Sequence, residues 1–168
     1  MSTVLSREVD AIQNAAVSAV LLWRFCVAYA ATRQTPASTP LPVLFVPLPI
    51  LFNEESMSIL SSTQGKSGLR LFAGKFTDAA HSKTDILLSL EGQARMLRPQ
   101  TLEAFRLGLR SRLLFLDRTT AQVVALSETP PKSLPESVRP LLRNAEKLGG
   151  WFGSVSLFEL GSVLHVTF

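Results

Sequence analysis

Between Arg98 and Leu126 the spacing of apolar positions changes period within one stretch, RPQTLEAFRLGLRSRLLFLDRTTAQVVAL. Leu102, Phe105, Leu109 and Leu113 recur at three- and four-residue steps, which places them on one stripe at 100° per residue. Pro99 and Thr101 suit a first helical turn, where a missing N–H costs nothing and a hydroxyl can bond the open amides. Leu114, Phe115 and Leu116 then form a short apolar run, and Asp117-Arg118-Thr119-Thr120 supplies turn chemistry. Gln122 to Leu126 returns as a β-branched strand. The pattern predicts a helix running straight into a two-stranded hairpin, the order that ends a winged-helix module.

Upstream, the apolar positions from Ile12 to Thr32 show no polar face. Val17, Val20, Leu21, Trp23, Phe25, Val27 and Tyr29 cover every direction, so this helix must be buried on all sides. Arg24 needs either a partner, for which Glu54 and Glu55 are candidates, or a path to the surface along its own stem. Ala37 to Pro40 reads as a turn. The proline-rich, apolar passage to Pro49 allows only short helical or extended pieces. Asn53 caps a short helix with Glu54 and Glu55 at its positive end. Leu69, Phe72, Ala73 and Phe76 mark another helix. Ser82-x-x-Asp85 opens a further one through Ile86, Leu87, Leu90, Ala94 and Leu97.

Downstream, Ser133-x-x-Glu136 precedes a helix that becomes regular near Ser137, carries Val138, Leu141, Leu142, Ala145 and Leu148, and is stopped by Gly149-Gly150. Ser156-x-x-Glu159 caps a last short helix. Val163 to Phe168 alternates and reads as a half-buried strand set beside the hairpin. The expected fold is α+β in a single compact domain over residues 1–168, with a small antiparallel sheet. A helix-rich winged-helix core at about 67–126 would be embraced by N-terminal helices (12–62) and by C-terminal helices plus a strand (134–168).

Composition changes this picture in one respect. Charged residues are 18% of the 168, against about 25% in ordinary domains, and mean hydropathy is +0.25. Apolar surface beyond one core has to be buried against something. Ala15 to Ala31 is interrupted by Arg24 and falls short of a span of roughly 20 residues, so a partner protein is the better expectation than a membrane. A lone Cys26 and no signal-peptide pattern point to a reducing, cytoplasmic setting.

Charge is unevenly spread. The chain carries a net +4, and nine basic against four acidic residues fall between Lys66 and Arg112. Arg98, Arg106, Arg110, Arg112 and Arg118 are therefore candidates for phosphate contact from helix and wing. The alternative is a solvated face laced by Glu103–Arg106 pairing. Gln100 is the one base-reading amide on the helix, and Leu107 is expected to point outward beside the arginines. DNA contact, if made, would be non-specific.

Catalytic chemistry is poorly represented. No metal-ligand spacing and no nucleophile elbow occur. Cys26 lies within an apolar helix, His81 falls in a turn, and His165 lies in the expected strand. Gly65-Lys66-Ser67 lacks the upstream glycine of a phosphate loop, because Leu60 stands there. No cofactor, metal or small-molecule substrate is expected, and the chain reads as a non-enzyme. An enzyme reading would require activity lost on replacing Glu54, Glu55 or His165.

LLWRF (21–25), LPILF (48–52), GLRLFAGKF (68–76), LPESVRPLLRNAEKLGGWF (134–152) and the closing VLHVTF resemble the middle component of bacterial three-component ABC-ATPase systems. The resemblance implies a winged-helix-type adaptor. It would work with an SMC/Rad50-like ABC ATPase and a third component, in Lamassu-like defence against phage or plasmids. It supplies no site residues. A free-standing winged-helix DNA-binding regulator is the alternative.

Overall fold

The computed structural model describes residues 14–33, 37–78 and 83–168. At its centre lies α1 (Ala15–Ala31), opened by Asn14, whose side chain accepts from the Ala16 and Val17 amides at 3.1 Å. Leu21, Leu22, Trp23, Phe25 and Tyr29 are wholly buried, as an apolar all-round helix requires. Two helices cover it: α7 (Arg98–Arg110) and α8 (Arg139–Gly153). Among the described residues no single helix is long and apolar enough to cross a membrane.

The Gly149-Gly150 pair does not stop α8, which continues to Gly153. A Cβ on Gly149 would run into the Phe25 carbonyl oxygen and come within 2.9 Å of Ala28 Cβ; one on Gly153 would collide with the Thr32 hydroxyl. These glycines let two helix backbones touch, and the helix geometry is held by packing rather than by propensity. Phe152 then meets Phe25 edge-on at 5.3 Å. Arg24 pairs with Glu146 of α8 at 2.8 Å, not with Glu54 or Glu55, both of which are exposed.

Between α1 and the hairpin run strand β1 (Thr39–Pro40), a 3-10 turn (Leu41–Phe45), α2 (Pro47–Phe52) and α3 (Glu54–Ser62). The prolines sit in first turns, where they are tolerated. Asn53 caps α3, accepting from the Ser56 amide at 2.9 Å. Lys147 of α8 closes the other end, donating to Leu60 O at 2.8 Å and Thr63 O at 2.7 Å. Burial, then the Lys75 charge, lowers its pKa from the usual 10.5. Gly65–Ser67 is a 3-10 turn whose Gly65 carbonyl accepts from Trp151 Nε1 at 2.6 Å, so the segment is a loop.

Helix α4 (Gly68–Asp78) buries Leu69, Phe72, Ala73 and Phe76, as its spacing predicts. The single helix expected from Ser82 is two short ones, α5 (Thr84–Leu88) and α6 (Leu90–Met96). They part at Ser89, whose hydroxyl donates to Ile86 O at 3.0 Å. Ser82 and His81 lie outside the described residues.

The hairpin is formed by β2 (Leu114–Asp117) and β3 (Gln122–Ala125), antiparallel. The third strand is β1 rather than the chain's end, in the order β1-β3-β2. The expected strand at 163–168 is a correction: α9 (Leu157–Leu164), capped by Ser156, takes up its first two residues, and the rest forms no strand. Leu160 and Leu164, four apart, both turn inward. His165 then takes a left-handed conformation at φ 55°, and the Val166 amide bonds back to Gly161 O at 3.1 Å. A helical pair and a C-terminal cap override a local two-residue alternation.

Candidate functional site

The apolar stripe of α7 is rotated from the one its large residues suggest. Thr101, Ala104, Phe105 and Gly108 are buried, and Leu102 and Leu109 are only half-buried. Small residues let the helix approach its neighbours closely: a Cβ on Gly108 would stand 3.0 Å from Leu114 Cδ1. Thr101 donates to Leu97 O at 3.0 Å instead of capping open amides. The helix ends at Arg110, short of Leu113. Arg112 adopts φ 57° and Leu113 N bonds Gly108 O at 3.0 Å, which turns the chain directly into β2.

The five arginines are not one cluster. Arg98 stands at the start of α7, roughly 18 Å along the helix axis from Arg110 at 1.5 Å per residue. Its guanidinium lies 5.8 Å from the Phe45 ring. Arg106 approaches Glu103 at 4.0 Å with both side chains largely exposed, a pair of small energetic weight. Arg110 and Arg112 gather at the C-terminal end of α7, where a positive charge is favourable, and Arg118 is at the hairpin tip; all three are exposed. Leu107 is half-buried rather than turned fully outward.

The register divides the hairpin into two faces. Leu114, Leu116, Val123 and Ala125 face inward, with Val123 wholly buried and Leu114 at 2% exposure. Phe115 pairs with Val124, and Leu126 N donates to Leu113 O at 2.9 Å, which puts these four on the opposite face. There Phe115 is 53% and Leu126 54% exposed. Asp117 holds the turn, accepting from the Thr119 amide at 2.9 Å and the Thr120 hydroxyl at 2.7 Å. Sequence reasoning treated Leu114 to Leu116 as one apolar run. The strand's alternation was the signal for an outward Phe115.

A second apolar surface was not legible in sequence. A groove of about 570 Å³ lies between the 3-10 turn (Leu41, Phe45), α6 and α7 (Arg98, Leu102) and the chain's end (Phe168). Its rim carries the Arg95–Glu91 ion pair at 2.6 Å. Reactive groups are not gathered there. Cys26 is buried and its thiol is pushed up to about 12 by burial, only partly offset by the Thr39 hydroxyl. It therefore supplies no thiolate at neutral pH. His165 is exposed at the end of α9, and no group of three or more metal-ligating side chains occurs among the described residues.

A family model, ABC-three component (ABC-3C) system Middle Component 3, matches residues 2–168. No curated protein and no solved structure matches the chain. The match spans nearly the whole sequence, including the helices that build the core and the hairpin with its outward apolar face. The chain belongs to the Middle Component 3 family of ABC-three component systems.

Proposed function

We propose that this protein is a non-enzymatic adaptor subunit that bridges an SMC/Rad50-like ABC ATPase and a further component of its system, in Lamassu-like defence against phage or plasmids. The observation that carries the reading is that the family match is joined to two separate apolar surfaces. The outward hairpin face holds Phe115 and Leu126, and the groove lies at the far end of α7. An adaptor needs two such surfaces, and exposed apolar patches of this kind mark protein contacts. A helix feeding a hairpin, with the sheet completed by an earlier strand, supports reading α7, β2 and β3 as a winged-helix-type platform. The test is co-expression with the ATPase and third component of its system. A stable complex on size-exclusion chromatography supports the adaptor; a homodimer that binds a short palindrome and neither component refutes it.

One observation favours a second role. Arg110, Arg112 and Arg118 are exposed and have no ion-pair partner among the described residues, an arrangement suited to phosphate. Replacing Arg106 and Arg110 with alanine then weakens binding across all DNA sequences and flattens its salt dependence.

A further inference from the structure

The groove at the start of α7 is walled on one side by a single helical stripe. Glu91, Ala94, Arg98 and Leu102 all line it and stand three or four residues apart, the spacing that stacks side chains on one helix face. The stripe crosses the junction of α6 and α7 because the Thr101 amide bonds Leu97 O at 2.9 Å and carries the helical ladder through it. Leu41 and Phe45 of the 3-10 turn and Phe168 supply the rest of the wall. Val46 and Val166, at 3% and 8% exposure, are the buried floor. A space of about 570 Å³ with apolar walls and few polar groups has the size and make-up of a recognition site.

Three charged side chains line the groove, and two of them neutralise each other: Arg95 holds Glu91 at 2.6 Å. Arg98 is the third. It is exposed and has no ion-pair partner among the described residues. Its guanidinium sits 5.8 Å from the Phe45 ring, an attraction that steadies it beside the apolar wall. The planar fork of N–H donors is thereby set next to the groove, in the geometry that matches a carboxylate.

We infer that this groove receives a segment of another component of the system, which buries apolar side chains between Phe45 and Leu102 and sets an aspartate or glutamate against Arg98. The inference rests on the adaptor reading above and specifies what one of its two surfaces binds. Apolar anchors seated in a pocket, with an arginine beside them, carry most of the energy of a protein contact. The arginine adds selection, since a lysine or arginine brought to the same place meets a like charge.

Two other occupants fit less well. Nucleic acid needs a row of cations along its phosphates, and here one unpaired arginine stands among eight apolar lining residues. A second copy of this chain would offer Phe158, at 87% exposure. The neighbouring Glu159 is already bound by Arg70 at 2.7 Å, so that copy brings an anchor without an unengaged carboxylate.

The experiment uses the full chain in the complex formed by co-expression with the other components of its system. A photo-crosslinking residue at position 94 marks what enters the groove, and affinity is measured for variants. The expected crosslink is to one segment of another component, carrying apolar residues beside an acid. Arg98→Glu weakens association by about tenfold or more at unchanged melting temperature, and Arg98→Lys weakens it less. Reversing the segment's acid to lysine restores binding to the Arg98→Glu chain. Ala94→Trp, which fills the groove from its wall, also weakens association by about tenfold. A complex that forms as tightly with Arg98→Glu and with Ala94→Trp as with the unchanged chain overturns the groove and leaves the adaptor standing. No complex with any component overturns the adaptor and the groove together. A crosslink to a second copy that disappears with Phe158→Ser assigns the groove to self-association. Decanoate bound by the isolated chain through Arg98, with no segment crosslinked in the complex, assigns it to a small amphiphile. Either outcome overturns the inference.

Discussion

The α1–α8 contact and the β2–β3 hairpin are built from similarly apolar residues and end in opposite states. In the first, every direction is occupied: Phe25 and Tyr29 are wholly buried, and Gly149 and Gly153 bring the backbones together. In the second, one face carries Leu114 and Val123 into the core, and the other leaves Phe115 and Leu126 more than half exposed. Hydrophobic content does not separate the two regions. What separates them is whether the chain itself provides the covering surface. The helix pair is closed by this chain, and the outer face of the hairpin keeps Phe115 and Leu126 exposed.

The sharpest way to break the comparison is at the helix contact. Gly149→Val places atoms where the Phe25 carbonyl stands, and should cost more than about 4 kcal/mol or abolish folding, read by urea denaturation. Phe152→Ala should cost about 3–5 kcal/mol by the same measurement, since the side chain is wholly buried. Gly150→Ala, one residue from Gly149, meets nothing within 4 Å and should instead stabilise by about 1 kcal/mol. A loss there would show that α8 tolerates no added bulk and would sink the division between facing and non-facing glycines.

Smaller effects sharpen the other side. Glu146→Gln removes the partner of Arg24, a pair with 19% and 50% side-chain exposure, and should cost about 1 kcal/mol or less. Phe115→Ser should leave the isolated chain's stability within about 0.5 kcal/mol. A larger loss would place Phe115 in the chain's own core and remove it from the docking face.

The smallest effect is in the turn. The Thr120 hydroxyl and then the Thr119 amide hold Asp117 below its ordinary value of 3.8. A depressed carboxylate pKa contributes order that is present above 3.8 and lost as pH falls through the lower folded value. The protection factor of the Thr119 amide, taken against its intrinsic exchange rate at each pH, should fall in that acid window, and Asp117→Asn should remove that fall.

Much of the element order was legible because its signals are local. Asn53 and Ser156 cap helices through their own side chains. The four-residue turn after Asp117 sets the hairpin register. The misreadings share one cause, which is reliance on large apolar residues. At Gly149, Gly153, Ala104 and Gly108 the information lies in a missing side chain, and its meaning depends on which backbone comes close. The final six residues alternate like a strand, yet Leu160, Leu164 and the His165 cap make their first part helical.

By itself the sequence determined the buried core of the central helix, the Asn53 and Ser156 caps and the order of helix then hairpin. Each follows from side-chain chemistry within a few residues, where period, capping and turn preferences act. Only the tertiary structure decided that Glu146 answers Arg24, that β1 completes the sheet, and that the arginines separate along α7. It alone turned Leu114 inward and left Phe115 and Leu126 more than half exposed. Those outcomes depend on which distant backbones approach one another, and that is set by the fit of whole surfaces, not by any local pattern.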